Sequence, residues 1–339
     1  MRTEQYVLIG HGEPDRAFAL RDAELPALKE GQAILACEGF GLNFADVMAR
    51  RGIYQDAPPL PCVIGYEAVG RLLGDCGPYR KGQRMLAFTR FGGYASHIVV
   101  DGRTIRPIPE EMPLGEALAL AVQFCTAYHA AHECVNVFAD DHVLVHAAAG
   151  GVGTLLVQLL KLKGCTIYGT AGSDAKLELL RQQGVHHPIN YQKQDFVGAI
   201  KHLTGTRGLD VVFDPLGGST FRRGFGLLGK GGRIVGFGAS EQLGGGIQFI
   251  DTLRLALNFG LFSPIQLLVS SRAMIGINML HIADERPHVL GRCMEAGIAM
   301  WQKGDIRPIV GAEFAHTQLA DAHRLLESRQ STGKVAVRW

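Results

Sequence analysis

The stretch Val143-Leu144-Val145-His146-Ala147-Ala148-Ala149-Gly150-Gly151-Val152-Gly153-Thr154-Leu155 constrains this chain more than any other part of it. A short apolar run passes into a block of small residues and then into a helical apolar pattern, so the segment reads as a strand, a tight turn and a helix start. Ala148-x-Gly150-x-x-Gly153 is a dinucleotide-binding fingerprint in which alanine replaces the commoner first glycine. Gly150 and Gly151 let the backbone approach a pyrophosphate. The helix start, Val152 included, offers N–H groups and a positive dipole, and Gly153 permits close packing of helix on strand.

A turn of this kind can also be purely structural, and its surroundings decide between the two readings. From about residue 126 strands and helices alternate. Strands are expected at His142–His146, Thr166–Thr170, Leu209–Asp214, Gly232–Phe237 and Ala273–Ile277, with helices at Gly153–Lys163 and Asp174–Gln183. Near-continuous apolar strands in such an alternation imply a parallel sheet covered by helices on both faces, a Rossmann nucleotide-binding domain over 126–278. Residues 1–125 instead show short strands broken by Gly and Pro, such as Gln32–Cys37, Ala68–Leu73 and Tyr94–Val100, which predicts a compact β-rich domain. The end of the chain, 279–339, holds a helix over about Thr317–Ser328 and a strand at Val335–Val337. That is too little to fold alone, and it is expected to return to the first domain. Leu243-Gly244-Gly245-Gly246-Ile247 is expected to be a mobile loop.

The end of the second Rossmann strand selects the cofactor. An NAD site places Asp or Glu there to accept from the ribose 2′-hydroxyl, but this strand ends Gly169-Thr170-Ala171-Gly172-Ser173. Ser173 offers a hydroxyl and Lys176 a full charge, and Tyr191 from the next connection completes a pocket for a 2′-phosphate. NADP(H) is therefore expected over NAD(H), with Asp174 read as a helix-capping residue.

Charge and cysteine content exclude other classes. Lys plus Arg number 34 against 32 for Asp plus Glu, without a block of either sign, so neither nucleic acid nor an anionic surface is an expected partner. The longest uncharged run, Val143–Leu160, contains the small-residue turn and makes a poor membrane span. Met1–Gln5 leads into the strand-like Tyr6–Ile9 without a secretion-type apolar core, and the seven cysteines form no close pair. A cytoplasmic protein with reduced thiols is expected. Gly224–Lys230 is followed by Gly231 where a P-loop needs Ser or Thr, and reads as a helix end leading into a strand. His129 and His132 with Glu133 lack an evident third metal ligand and are read as residues of a polar helix face.

Further motifs carry a resemblance over the whole length: Gly41-Leu42-Asn43-Phe44-Ala45-Asp46, Gly65-Tyr66-Glu67-Ala68-Val69-Gly70, Gly92-Gly93-Tyr94-Ala95, Thr126-Ala127-Tyr128, Ile189-Asn190-Tyr191 and Asp214-Pro215-Leu216-Gly217-Gly218. With the glycine turn, they make the chain resemble the zinc-independent quinone oxidoreductase group of the medium-chain dehydrogenase/reductase family. Asn43–Tyr54, His187–Tyr191 and Phe213–Ser219 are similar to its synaptic vesicle amine transport protein branch. The resemblance implies an α/β protein in which both chain ends build a GroES-like catalytic domain around the Rossmann domain, and a homodimer formed through the last Rossmann strand. It also implies that Asn43 and Thr126 lie near the nicotinamide and its ribose, that Phe237-Gly238 covers the ring, and that Lys334 sits close to the cofactor.

In the zinc alcohol dehydrogenases of that family a Cys and a His hold the catalytic metal, and the matching places here look like Asn43 and Tyr66, neither a good zinc ligand. Without a metal to stabilise an alkoxide, a conjugated carbonyl is the better acceptor, because it spreads the developing charge. The expected reaction is hydride transfer from NADPH to a small planar quinone or enone. Asn43 and Thr126 are placed at the site, Tyr54 or a water is expected to give the proton, Asp46 to hold the loop, and Phe91, Tyr66 and Tyr94 to form a flat slot. The alternatives are a 2-alkenal or enoyl-thioester reductase, and a non-catalytic NADPH-binding sensor or membrane-associated protein.

Overall fold

The computed structural model describes residues 1–238 and 258–339. The expected loop at Leu243–Ile247 lies outside the described residues. In chain order the elements are β1 (Arg2–Leu8), α1 (Pro14–Ala17), β2 (Phe18–Glu24), β3 (Gln32–Leu42), α2 (Phe44–Arg50), β4 (Glu67–Leu72), β5 (Arg84–Phe88), β6 (His97–Asp101), β7 (Ile105–Pro107) and α3 (Leu114–Tyr128). After a π-helical turn at His129–Cys134 come β8 (His142–Val145), α4 (Gly151–Lys163), β9 (Thr166–Ala171), α5 (Asp174–Gln182), β10 (His187–Asn190), α6 (Phe196–Thr204), β11 (Leu209–Asp214), α7 (Gly218–Gly226) and β12 (Leu228–Gly236). The chain closes with α8 (Pro264–Ser270), β13 (Ala273–Gly276), α9 (Met279–Glu285), α10 (Pro287–Lys303), β14 (Val310–Ala315), α11 (Leu319–Glu327) and β15 (Lys334–Arg338). Two compact units result, Met1–Cys125 with Met279–Trp339, and Thr126–Asn278.

In the first unit a sheet runs β14-β15-β3-β4-β5-β7, with β6 also on β3. Its pairing is antiparallel apart from β14 on β15. Two registers matter for the site. Strand β15 lies antiparallel to β3 with Val335 opposite Leu42, and β4 lies antiparallel to β3 with Ala68 opposite Phe40. Residues from three distant parts of the chain, Leu42-Asn43, Glu67 and Lys334, are thereby brought to one end of the sheet.

In the second unit six parallel strands run β10-β9-β8-β11-β12-β13, the order 3-2-1-4-5-6 when counted from β8. Leu144, Tyr168, Ile189, Val212, Phe221 and Ile234 pack into one buried cluster in this unit. The strand order reverses between β8 and β11, which in an open sheet of this kind is where a nucleotide binds.

Three boundaries differ from expectation. The strand expected from Tyr94 begins at His97, because Tyr94 is fully buried and stacks on Phe40 at 4.4 Å. Strand β12 begins at Leu228, where a register irregularity against Leu209 and Val211 lets Gly231 adopt φ 82° inside the strand. The last helix starts at Leu319 after a tighter turn at His316–Gln318.

Candidate active site

The glycine turn leaves β8 through Ala147, at φ 49°. Gly150 precedes α4 in an extended conformation, and no side chain caps the helix. The ladder of α4 opens with Thr154 N–H donating to Gly150 O at 2.9 Å, so the earlier N–H groups of Gly151, Val152 and Gly153 are not used within the helix. An anion fits such a terminus. A Cβ on Gly153 would stand 2.4 Å from Ala147 O and 2.7 Å from Ala148 Cα, so only glycine brings α4 this close to the turn.

At the end of β9, Ser173 Oγ accepts from Lys176 N–H at 3.3 Å and caps α5. This corrects the expectation that Asp174 is the cap. The Asp174 carboxylate instead accepts from Asn190 Nδ2 at 3.0 Å and pairs with Lys193, which holds its carboxyl below the usual range. Tyr191 N–H donates to Ala171 O at 3.1 Å, and a Cβ on Gly172 would meet Tyr191 Oη at 2.6 Å. The loop thus sets the Ser173 hydroxyl, the Tyr191 phenol beside Gly172 and the half-buried Lys176 in the first turn of α5, while the neighbouring carboxylate is neutralised by Lys193. Those groups suit a phosphate monoester.

Phe237 and Gly238 follow β12, and a Cβ on Gly238 would lie 2.5 Å from Pro215 O. The Asp214-Pro215 turn is held by Asp214 Oδ1, which accepts from Leu216 N–H at 2.6 Å and Gly217 N–H at 2.7 Å. Beside it opens a cleft of about 560 Å³ lined by Phe221, Gly236, Gly238, Phe259, Met274 and Asn278. Thr126 belongs to the same unit and is buried near the end of α3.

In the other unit Asn43 precedes α2, and its side chain belongs to a buried network. Asn43 Nδ2 donates to Glu67 Oε1 at 2.9 Å, while Asn43 Oδ1 accepts from Lys334 Nζ at 3.4 Å. Lys334 also donates to Leu42 O at 3.2 Å and pairs with Glu67 Oε1, both side chains being wholly buried. The second Glu67 oxygen accepts from Val122 N–H at 2.9 Å. Gly41 makes room for this pair, since a Cβ there would lie 2.2 Å from Glu67 Oε1 and 2.6 Å from Lys334 Nζ. Asn43 and Lys334 are therefore neighbours, and Glu67 joins them. Sequence reasoning gave Glu67 no role. The available signal was a carboxylate at the head of a strand, β4, that is buried everywhere but at Arg71.

Asp46 Oδ2 accepts from Asn43 N–H at 2.7 Å, so this carboxyl closes the first turn of α2 and fixes the Asn43 backbone. Burial pushes its pKa up to about 8. Tyr54 meets Tyr66 edge-on at 6.2 Å, and Tyr66 lies 5.3 Å from Phe91. Tyr94 does not join this slot. Its ring stacks on Phe40 in the core, and its hydroxyl lies 3.3 Å from His323 Nε2. His129 Nδ1 lies 2.7 Å from Glu133 Oε2, and His132 stacks on Tyr128 at 4.5 Å, so the two histidines point to different partners.

The chain is similar over nearly its whole length to known proteins. A family profile described as zinc-binding dehydrogenase matches residues 151–293. The human synaptic vesicle membrane protein VAT-1 homolog is 36% identical over 335 residues, 97% of this chain and 84% of the relative. Quinone oxidoreductase from Rattus norvegicus is 28% identical over 329 residues, 96% and 94% of the two chains. Among solved structures, a mycobacterial protein complexed with NADPH superposes with TM-score 0.86 at 24% identity, covering 99% of this chain and 100% of its own.

Proposed function

This chain belongs to the medium-chain dehydrogenase/reductase oxidoreductases, the family of the VAT-1 homologs and quinone oxidoreductases, and from that premise we propose that it reduces quinones or other conjugated carbonyls with NADPH. The observation that carries the reading is an uncapped α4 terminus in the same parallel sheet as the end of β9, where Ser173, Lys176 and Tyr191 stand, two places suited to phosphate. In this reading Gly150, Gly151, Val152 and Gly153 hold the pyrophosphate, and Ser173, Lys176 and Tyr191 hold the 2′-phosphate. Phe237 and Gly238 cover the ring, Asn43 and Thr126 lie near the nicotinamide and its ribose, and Lys334 sits close to the cofactor. When bound, the reduced nicotinamide supplies the hydride. The protein's own groups orient the acceptor and deliver a proton, with Tyr54 as the donor.

The family description invokes zinc, and the groups at the expected metal position do not suit it. Asn43 turns its Nδ2 hydrogens to Glu67, the Glu67 carboxylate is bound by Lys334, and the Tyr66 phenol is pushed well up by burial, which disfavours the anionic ligand a metal would want. A zinc-independent reaction is therefore part of the proposal, and it favours an acceptor that delocalises its own charge.

Two further parts concern the molecule's setting. Strand β13 ends the sheet, and the adjacent α8 exposes Ile265, Leu268 and Val269, which supports a second copy of the chain docking at this margin. No helix among the described residues is long and apolar enough to cross a membrane. All seven cysteines are free, which supports a reducing, cytoplasmic compartment.

The test follows absorbance at 340 nm with chelator-treated protein, comparing NADPH and NADH against quinones, enones and simple alcohols. NADPH oxidation by a quinone or enone, undiminished by chelation, is the expected result. Lys176→Ala should weaken NADPH binding roughly ten- to hundredfold, the worth of about 1.5–3 kcal/mol for a charged hydrogen bond, and leave NADH nearly unchanged. Equal use of NADH by the unaltered protein, or activity that needs added zinc, would overturn the cofactor or metal part. NADPH binding without turnover would favour a sensor.

A further inference from the structure

Tyr66 is 3% exposed, and its hydroxyl meets no partner at full hydrogen-bonding geometry among the described residues. An unpaired buried O–H costs about 1–3 kcal/mol, which phenylalanine would avoid at nearly the same volume. The phenol must therefore be judged by its neighbours. Its ring meets Tyr54 edge-on at 87°, and Phe91 lies 5.3 Å from it. Tyr54 is only half-buried, so of the two phenols it is the one that solvent or a ligand can reach.

We propose that Tyr66 is a positioning residue for Tyr54, its idle O–H donating to the Tyr54 oxygen when Tyr54 gives up its proton. This rests on the reading of Tyr54 as the proton donor. In that step the Tyr54 O–H bond breaks and the proton passes to the substrate oxygen, which has become an enolate or quinol anion on receiving hydride from the reduced nicotinamide. The electron pair stays on Tyr54 Oη, which accepts a hydrogen bond from Tyr66. Tyr66 keeps its own proton, and solvent reprotonates Tyr54.

The surroundings give such a donor a purpose. Burial first, and then the carboxylates of Asp56 and Asp46, hold the Tyr54 phenol up to about 12, which opposes loss of its proton. Asp56 Oδ1 lies 3.1 Å from His281 Nε2, and Arg90, the nearby cation, is paired with Asp284. The Tyr66 O–H and Arg90 act in the opposite direction on Tyr54, and only the first is a neutral donor held free of solvent. A hydrogen bond to a phenolate in such a place is stronger than one to a neutral phenol, so it assists the transfer rather than the resting state.

The test uses the full chain with 3-fluorotyrosine incorporated throughout, which brings phenol titration into an accessible range. The fluorine resonances are assigned with Tyr54→Phe and Tyr66→Phe and titrated without cofactor. Tyr66→Phe should raise the midpoint of the Tyr54 resonance by about one pH unit, a tenfold change in the ionisation constant. It should lower kcat about tenfold while the NADPH dissociation constant holds and the melting temperature holds or rises, because the substitution removes a buried hydroxyl that has no partner in the resting state. The double variant should be no slower than Tyr54→Phe alone. An unmoved midpoint, or effects that multiply in the double variant, would overturn the role given to Tyr66 while Tyr54 remains the donor. Full turnover by Tyr54→Phe would instead refute the donor assignment, and the inference with it.

Discussion

At the scale of single residues the decisive group is Glu67. It is wholly buried, it accepts from Asn43, Lys334 and the Val122 backbone, and it sets which way the Asn43 amide faces. A buried charge that loses its partner is far more costly than an exposed one. Glu67→Gln should therefore lower stability by about 3–5 kcal/mol, read as a fall in the urea midpoint, and adding Lys334→Met should restore most of it. The exposed pair Arg181–Glu178 offers the contrast, since breaking it should cost no more than about 1 kcal/mol. If the two pairs behaved alike, Glu67 would not be the anchor described here. Asn43 was legible from its motif; its partner was not, because a lone carboxylate in a sequence does not announce what it faces.

At the scale of elements, the contact between α4 and the turn after β8 carries the nucleotide reading. Fitting even a methyl group 2.4 Å from Ala147 O requires the helix to move. Gly153→Ala should cost about 1–3 kcal/mol through overpacking and weaken NADPH binding together with stability, measured as melting temperature and cofactor dissociation constant on one preparation. Stability lost without any change in binding would show that the helix start does not hold the phosphate. The alternation of β8, β9, β11, β12 and β13 could be read in advance, because their apolar stretches alternate with helical patterns; β10, His-Pro-Ile-Asn, has no apolar run and was not expected as a strand. Strand starts were less legible. Tyr94 has strand-like neighbours but is drawn into the aromatic core, and β12 accommodates an irregularity that local pattern does not reveal.

At the scale of the whole molecule, each unit buries a neutral histidine: His146, 3.0 Å from Thr170 Oγ1, and His323, 3.3 Å from Tyr94 Oη. Burial lowers both to about 3 from 6.5. A depressed histidine contributes stability that is present above about pH 6.5 and is lost as pH falls toward 3, at up to about 1.4 kcal/mol per pH unit for each. Asp46 has the opposite sign, because its pKa is raised to about 8 and its contribution is lost as pH rises from about 4 toward that value. The urea midpoint should fall from pH 7 to pH 5, His146→Gln and His323→Gln should each shrink that fall, and Asp46→Asn should deepen it; a midpoint indifferent to pH would contradict these burials. The sequence by itself determined the parallel nucleotide-binding sheet, the glycine turn and the Ser173, Lys176 and Tyr191 cluster, since these depend on apolar period and on turn residues close together in the chain. Only the tertiary structure decided that Asn43, Glu67 and Lys334 form one buried network, because residues 24 and 291 positions apart from Asn43 meet through the pairing of β3 with β4 and β15. Strand register, not local sequence, chooses such neighbours, and a shift of one residue would turn every side chain to the other face.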